Sequence, residues 1–245
     1  MTEKEWFTDW FDSAYYHLLY NNRDEHEAEK FVEKLTVQLK LQEGAQILDV
    51  ACGKGRHAKT LHKLGFNVTG IDLSENSIAA AKAFEDSNLH FVRWDMRETY
   101  CANCFDVAVN LFSSFGYLPS DEDNLVALKA IASNLKPQGV LILDYMNAEW
   151  VVKQLKPREI LQRGDTQFHI QKKVQDGFIL KKIQFVNAEG SNDEYEEKLR
   201  IIHLQTFREL CSSANLEIKN IWGDYELGNF NPGASPRIIL HCQKQ

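Results

Sequence analysis

The residues of this 245-residue chain best placed to do chemistry are a short loop, Ala51-Cys52-Gly53-Lys54-Gly55, and the acids spaced around it. Glycine lacks a Cβ, so such a loop can bend sharply and let a ligand approach the backbone. Gly53-Lys54-Gly55-Arg56-His57-Ala58 fits G-x-G-x-x-G/A, the fingerprint of an adenosine-containing ligand. Asp72 follows at close to the ~20 residues that place an acid on ribose hydroxyls. Asp72 also reads as a helix cap in Asp72-Leu73-Ser74.

Two more acids narrow the ligand. Asp49 lies inside the apolar run that precedes the loop. A carboxylate there would repel a pyrophosphate and attract a ligand carrying an ammonium and a sulfonium. Asp95, in Arg93-Trp94-Asp95-Met96-Arg97, can accept a hydrogen bond from an exocyclic adenine amine. Three acids at successive strand ends match the amine, ribose and adenine of S-adenosylmethionine (SAM). The glycine loop alone leaves NAD, FAD and SAM open.

The elements that must position these residues can be read from periodicity. Apolar positions 7, 11, 15, 18 and 19 recur at helical spacing in an aromatic N-terminal segment, 5 to 20, with Trp6, Phe7 and Phe11 as core residues. A second helix covers 26 to 40, ended by Gly44. Strands at 46–50, 67–71, 88–93, 105–111 and 139–145 then alternate with helices at 56–64, 75–86 (capped by Ser74) and 121–135. This alternation predicts a doubly wound parallel sheet. Residues 166 to 187 read as two strands joined by Asp176-Gly177, a hairpin turn, and 193 to 202 as a third. A helix at 204–214 and strands near 216–223 and 237–242 complete the chain. With no helix between them, the last two strands should pair antiparallel.

Composition is that of a globular protein: 44% hydrophobic, 26% charged, formal net charge -7. The acidic balance argues against nucleic-acid binding. The N-terminus has no signal-peptide pattern and no stretch reaches the ~20 apolar residues of a membrane helix, which predicts a cytoplasmic protein. Five cysteines, an odd number, suggest free thiols. Cys101-x-x-Cys104 has the spacing of half a zinc site or a redox pair, but no second ligand pair follows, so the spacing reads as chance and no metal is expected.

The ordered motifs resemble those of class I SAM-dependent methyltransferases. Ile47 to Ala58 resembles the first motif, Gly70-Ile71-Asp72-Leu73-Ser74 the second and Asp95-Met96 the third. Leu135-Lys136-Pro137-Gln138-Gly139-Val140 resembles the turn before the fifth strand, with Gln-Gly where Gly-Gly is common. Asn110 to Tyr117 is similar to the segment after the fourth strand in small-molecule members, and Tyr20 and Arg23 match a lid in amino-sugar N-methyltransferases. The resemblance implies SAM as cofactor, held by Tyr20, Arg23, Ala51, Gly53, Asp72, Leu73, Asp95, Met96, Asn110 and Leu111. It implies an α/β fold: a doubly wound, seven-stranded, mostly parallel Rossmann-like sheet with the last strand antiparallel. Residues 1–157 and 204–245 would form the core with its helical lid, and 158–203 a small antiparallel β insertion roofing the substrate pocket.

The resemblance makes methyl transfer to a small molecule by in-line displacement the leading function. An RNA or protein methyltransferase, a non-catalytic SAM-binding regulator and an NAD(P) oxidoreductase remain alternatives, and monomer and homodimer are both open. His17, His169, Tyr16 and Tyr117 are candidate bases, none of them singled out, and His57 reads as a helix-start residue. Arg93, Arg97, Arg158 and Arg237 could bind an anion but read as solvated surface. No Asn/Asp-Pro-Pro-Tyr/Phe motif follows the fourth strand, which counts against base or amide methylation.

Overall fold

The structure is a computed structural model that describes residues 10–20 and 25–245. Trp6, Phe7 and Arg23 lie outside the described residues.

Runs of alternating strand and helix pattern produce the expected sheet. Strands β1 (Gln46–Val50), β2 (Asn67–Asp72), β3 (Leu89–Arg93), β4 (Phe105–Asn110) and β5 (Leu135–Met146) are mutually parallel. β10 (Leu216–Trp222) and β11 (Arg237–Lys244) complete seven strands in the order β10-β11-β5-β4-β1-β2-β3. β11 runs antiparallel to both neighbours, as the missing helix between the last strands predicts. Strand order reverses at β1, with β4 on one side and β2 on the other, so a crevice opens beyond the carboxyl ends of these strands.

Apolar residues on the two faces of the sheet form two cores. Helices α5 (Asp121–Asn134) and α7 (Leu204–Ser213) bury Leu128, Ile131, Phe207 and Leu210 on one face. Helices α2 (Glu25–Leu39), α3 (Arg56–Lys63) and α4 (Glu75–Ala81) bury Phe31, Leu35, Leu61 and Ile78 on the other. Ser74 caps α4, its hydroxyl accepting from the Ser77 amide at 3.0 Å. The chain past α4 tightens into a 3-10 turn over Lys82–Phe84, so the helix is shorter than its alanine-rich pattern suggests. α2 stops at Leu39, and Lys40 rather than Gly44 is the first residue with positive φ, +52°.

β5 begins at Leu135, before Pro137, and the two-residue step Phe105–Val107 of β4 faces the five-residue step Leu135–Val140. The extra residues form a bulge at which Gln138 takes φ +64°. This backbone explains why glycine pairs suit the site, and Gln138 adopts the conformation instead.

A second, four-stranded antiparallel sheet is built from β6 (Arg158–Arg163), β7 (Thr166–Gln175), β8 (Phe178–Val186) and β9 (Asn192–Arg200). The β7–β8 turn is Asp176-Gly177, with both φ values positive, as a type I′ hairpin requires. β6 was not expected from the sequence, although the Gly164-Asp165 pair that joins it to β7 is the same kind of signal. The short helix α6 (Ala148–Gln154) was also unexpected; Asn147 caps it by accepting from the Glu149 amide.

Helix α1 (Ala14–Leu19) and the residues before it pack on this second sheet. Trp10 is fully buried against Tyr195, with ring centroids 4.5 Å apart, and Leu19 joins Phe168, Ile170 and Ile183. Cys101 and Cys104, expected as free thiols, are joined as a disulfide with Cα atoms 5.6 Å apart. Cys52, Cys211 and Cys242 are free and buried. Among the described residues no group of side chains could hold a metal ion, and no helix is long and apolar enough to cross a membrane.

Candidate functional site

A cavity of about 430 Å³ lies beyond the ends of β1 to β4, closed on its far side by Phe11 and α1. Tyr20, Ala51, Gly53, Asp72, Leu73, Asp95, Met96 and Leu111 all line it. Motifs far apart in sequence therefore converge where the strand order reverses.

Ala51 (φ +56°), Gly53 (φ +55°) and Gly55 (φ +77°) turn the chain from β1 into α3. A Cβ on Gly53 would meet nothing within 4 Å, so its bare face leaves room in the cavity for a ligand. Gly55 serves packing instead, since a Cβ there would lie 2.5 Å from the Phe91 ring. Asp72 ties the glycine loop to the next turn. One carboxylate oxygen accepts from the Gly53 amide and the other from the Ser74 amide, each at 2.8 Å. Each oxygen keeps a second lone pair for a ligand hydroxyl. Burial holds the Asp72 carboxyl above its usual range, while these amides pull the other way.

Asp49 is buried behind the loop. Its Oδ2 has no hydrogen-bond partner among the described residues. Burial pushes its carboxyl up to about 7, opposed by the Ala58 amide of α3. A buried acid with one unpartnered oxygen behind the glycine loop, though not itself lining the cavity, suits a cationic ligand group in front of that loop.

Asn110 stands apart from the other expected residues. It is fully buried, does not line the cavity, and its side-chain amide donates to the Val50 carbonyl at 3.0 Å, tying β4 to the start of the glycine loop. Asp95 lines the cavity but already holds Arg97, whose Nη2 lies 2.6 Å from Oδ2. Burial raises the Asp95 carboxyl, and the hydrogen bonds from Arg97 outweigh it, so the group sits below its usual range.

Three of the four arginines read as solvated are in fact engaged. Arg97 pairs with Asp95, and Arg237 with the fully buried Asp144 at 2.6 Å. Arg93 reaches Glu75 and the Leu73 carbonyl, and Arg158 is exposed on β6.

Asp144 also organises the wall after β4. It accepts from the Phe112 amide at 2.7 Å and from the Tyr225 hydroxyl at 3.2 Å. Phe112 and Ser113 both take φ +59°, a region costly for residues with side chains. The Phe112 ring stacks between His57 and Tyr225, so His57 has a packing role in the second position of α3. Asp144 was missed, although like Asp49 it is an acid inside an apolar strand run, the same signal that singled out Asp49.

Helix α1 and the described residues before it are anchored at two places. Asp12 accepts from the Ser74 hydroxyl at 2.6 Å and from the Asn76 amide at 3.0 Å. At the other end the Trp10 indole donates to Glu197 at 2.7 Å, and the Tyr20 hydroxyl donates to the same carboxylate at 2.6 Å. Lys181, directly across the strands from Glu197, lies 3.6 Å from it and donates to the Tyr20 oxygen. Burial, then Glu197, pushes the Tyr20 hydroxyl well above its usual range, which keeps it a donor. Lys181 and Glu197 were missed in the sequence. Their signal is a charge on the inward face of each strand, between Ile179 and Ile183 and between Tyr195 and Leu199. Among the described residues, none from 158–203 lines the cavity, and the second sheet touches α1, which does. Tyr20→Phe removes one donor from a buried carboxylate and should lower stability by about 1–3 kcal/mol. A urea denaturation curve measures this, and an unchanged midpoint would show that the anchor contributes nothing.

The comparisons with known proteins agree with this geometry. A sequence family described as a methyltransferase domain matches residues 47–139, from β1 through the β4–β5 region. The putative methyltransferase YqeM of Bacillus subtilis (strain 168) is 27% identical over 218 residues, covering 85% of this chain and 87% of that protein. The chain resembles methyltransferases in sequence over residues 47–139 and in fold over nearly its whole length. An amino-sugar enzyme, dTDP-3-amino-3,4,6-trideoxy-alpha-D-glucopyranose N,N-dimethyltransferase of Streptomyces venezuelae, is 35% identical over 109 residues, 44% of this chain and 45% of that protein. The fold is shared with a SAM-dependent methyltransferase from Clostridium acetobutylicum ATCC 824, at TM-score 0.79 and 19% identity, covering 94% of this chain and 96% of that one.

Proposed function

We propose that the chain is a SAM-dependent methyltransferase that transfers a methyl group to the amine nitrogen of a small molecule, bound under a lid formed by α1 and the residues before it. The observation that carries the reading is a half-open cavity, of a volume suited to a cofactor and a small acceptor, bordered by an aromatic segment anchored on both sides. The partial likeness to an amino-sugar N,N-dimethyltransferase supports an amine.

Asp72 would accept ribose hydroxyls, Leu73 and Met96 would flank the adenine, and Asp95 would take its amine beside Arg97. Ala51 and Gly53 would face the aminocarboxypropyl group, with Leu111 and Tyr20 closing the pocket. Arg23 is proposed with them on the resemblance alone, and Asn110 as a support for the loop. The second sheet would act as a roof by holding α1 in place.

The cofactor supplies an electrophilic methyl group on a sulfonium. The chain's own contribution is alignment and exclusion of water, effects that can be worth ~7–11 kcal/mol. Asp144 holds the strained Phe112–Ser113 wall, and the Asp12 and Glu197 anchors hold the lid that keeps water out.

Asp49 gives a pH dependence with a definite sign. Its folded value of about 7 lies above the unfolded one. Its contribution to stability is therefore present below about pH 4 and lost as pH rises through about 7. A bound cation reverses this penalty, so SAM should raise the melting temperature more at about pH 8 than at about pH 6. Equal shifts at both would show that Asp49 does not sense the cofactor.

Incubation with methyl-labelled SAM and fractionated metabolites tests the function. Label in the acid-soluble fraction, on nitrogen, is expected. Label confined to precipitated protein or RNA would overturn the small-molecule reading.

A further inference from the structure

The Cys101–Cys104 disulfide lies outside the cavity and has no part in the proposed methyl transfer. Residues 94–104 join β3 directly to β4. Trp94, Asp95, Met96 and Arg97, at one end of this connection, line the cavity, and the bridge closes the other end. Both ends are tied down. Trp94 donates its amide to the Asp72 carbonyl at 2.9 Å and its indole N–H to the Glu98 carbonyl at 3.1 Å. At the far end three amides donate to the last residues of α5. Cys101 reaches the Asn134 side chain at 2.7 Å, Asn103 the Ser133 carbonyl at 3.0 Å and Cys104 the Asn134 carbonyl at 2.9 Å. Asn134 is itself buried and donates to the Ala130 carbonyl. The Tyr100 ring, next to Cys101, packs edge-on against Trp94 with centroids 5.5 Å apart, and so connects the bridge to the cavity wall.

Cys-x-x-Cys is the spacing of a redox pair. Both cysteines are half-buried and flank the exposed Ala102 and Asn103, so the turn that carries them is open to solvent. Bridges in such settings are the reducible ones, unlike those sealed in a core. The bridge joins residues only three apart, so it closes little chain and adds little to the stability of the whole fold. Its constraint is local. Asn103, inside the ring, takes φ +57°, a left-handed conformation that an opened ring is free to leave.

We propose that Cys101 and Cys104 are a thiol–disulfide exchange site for a dithiol reductant, and that the disulfide form holds Trp94 to Arg97 in the shape that binds the cofactor. The proposal rests on the SAM reading given above. One thiolate of the reductant bonds to a cysteine sulfur, and the S–S bond breaks with its electron pair on the other sulfur, which takes up a proton. The second thiolate of the reductant attacks the mixed disulfide and releases the first cysteine, which is protonated in turn. Two electrons and two protons pass to the protein, and the reductant leaves as a disulfide. The hydrogen bonds to α5 remain, so the reduced chain stays folded. The turn gains freedom, and Tyr100 braces Trp94 less firmly.

The test measures SAM affinity by calorimetry on the full chain, oxidised and after dithiothreitol. Circular dichroism confirms folding, and alkylation with mass spectrometry reports the free thiols. Reduction should free Cys101 and Cys104 and weaken SAM binding by about threefold or more. Cys52 lines the cavity as a free thiol, so the effect is assigned with the double variant Cys101→Ser/Cys104→Ser. That variant should bind SAM as the reduced wild type does and be indifferent to dithiothreitol. Linkage supplies a second readout. In a glutathione buffer that leaves the pair half oxidised, saturating SAM should raise the ratio of disulfide to dithiol by the same factor. A change smaller than about threefold, a double variant still sensitive to dithiothreitol, or a ratio that SAM does not move would overturn the proposal. So would a pair that stays bridged in excess dithiothreitol. A chain that binds SAM in neither form removes the cofactor reading and this proposal together. Equal binding in both forms removes only the exchange site's control over the cavity.

Discussion

Asp72→Ala is expected to weaken SAM binding by about 3 kcal/mol or more, roughly 100-fold, in a protein that still folds. The carboxylate has two jobs. It holds the Gly53 and Ser74 amides at 2.8 Å, which fixes the glycine loop against the turn into α4. It also presents its remaining lone pairs to the cavity, where ribose hydroxyls are proposed to bind. Hydrogen bonds to a charged acceptor are worth ~1.5–3 kcal/mol each. Loss of loop order adds to the loss of the ligand contact. Asp72→Asn, with one acceptor oxygen in place of two, should fall between. Calorimetric titration with SAM and S-adenosylhomocysteine measures the effect, with circular dichroism to confirm folding. Unchanged affinity in a folded Asp72→Ala protein would place the ribose elsewhere.

The second large effect concerns stability. Asp144→Ala is expected to destabilise the protein by ~3–5 kcal/mol, because it leaves a partly buried guanidinium without its carboxylate. Arg237 has 17% of its side chain exposed and lies against an acid with none. The same substitution strips the Phe112 amide of its acceptor. Two consecutive non-glycine residues at φ +59° then lose part of what holds them, and such residues cost ~1–3 kcal/mol each. The cavity wall should loosen along with the fold. Urea denaturation reads the stability change. Adding Arg237→Met should restore part of it, since removing both charges is far less harmful than removing one. A double variant no more stable than Asp144→Ala would show that the loop, and not the ion pair, dominates.

The parts of this molecule legible in the sequence are those governed by local rules. Alternating periodicity located β1 to β5, and Asp176-Gly177 located the β7–β8 hairpin. The glycine loop with Asp72 and Asp95 located the cavity, because strand ends in a parallel sheet gather on one side. Much of what escaped depended on side-chain pairing, most of it across long stretches of chain. Asp95 was expected to be open to an adenine, but Arg97 is close enough in sequence to fold back onto it. Asp144 and Arg237 are distant in sequence and adjacent in space, so neither residue reveals the other. Lys181 and Glu197 face each other across two strands, and only the register brings Trp10 and Tyr20 to the same carboxylate. β6 was missed because its Ile160 and Leu161 sit among charged residues, too few to register as a strand. The insertion at 158–203 was expected to roof the pocket; none of its residues lines the cavity, and its sheet packs against α1.

The most direct test of this account is a crystal structure with S-adenosylhomocysteine bound. The ribose hydroxyls are expected on Asp72, the adenine between Leu73 and Met96 with its amine at Asp95, and the aminocarboxypropyl group against Gly53, with Trp10 and Tyr20 still held on Glu197. A ligand bound outside this cavity, or seated in it with no contact to Asp72, would contradict the account.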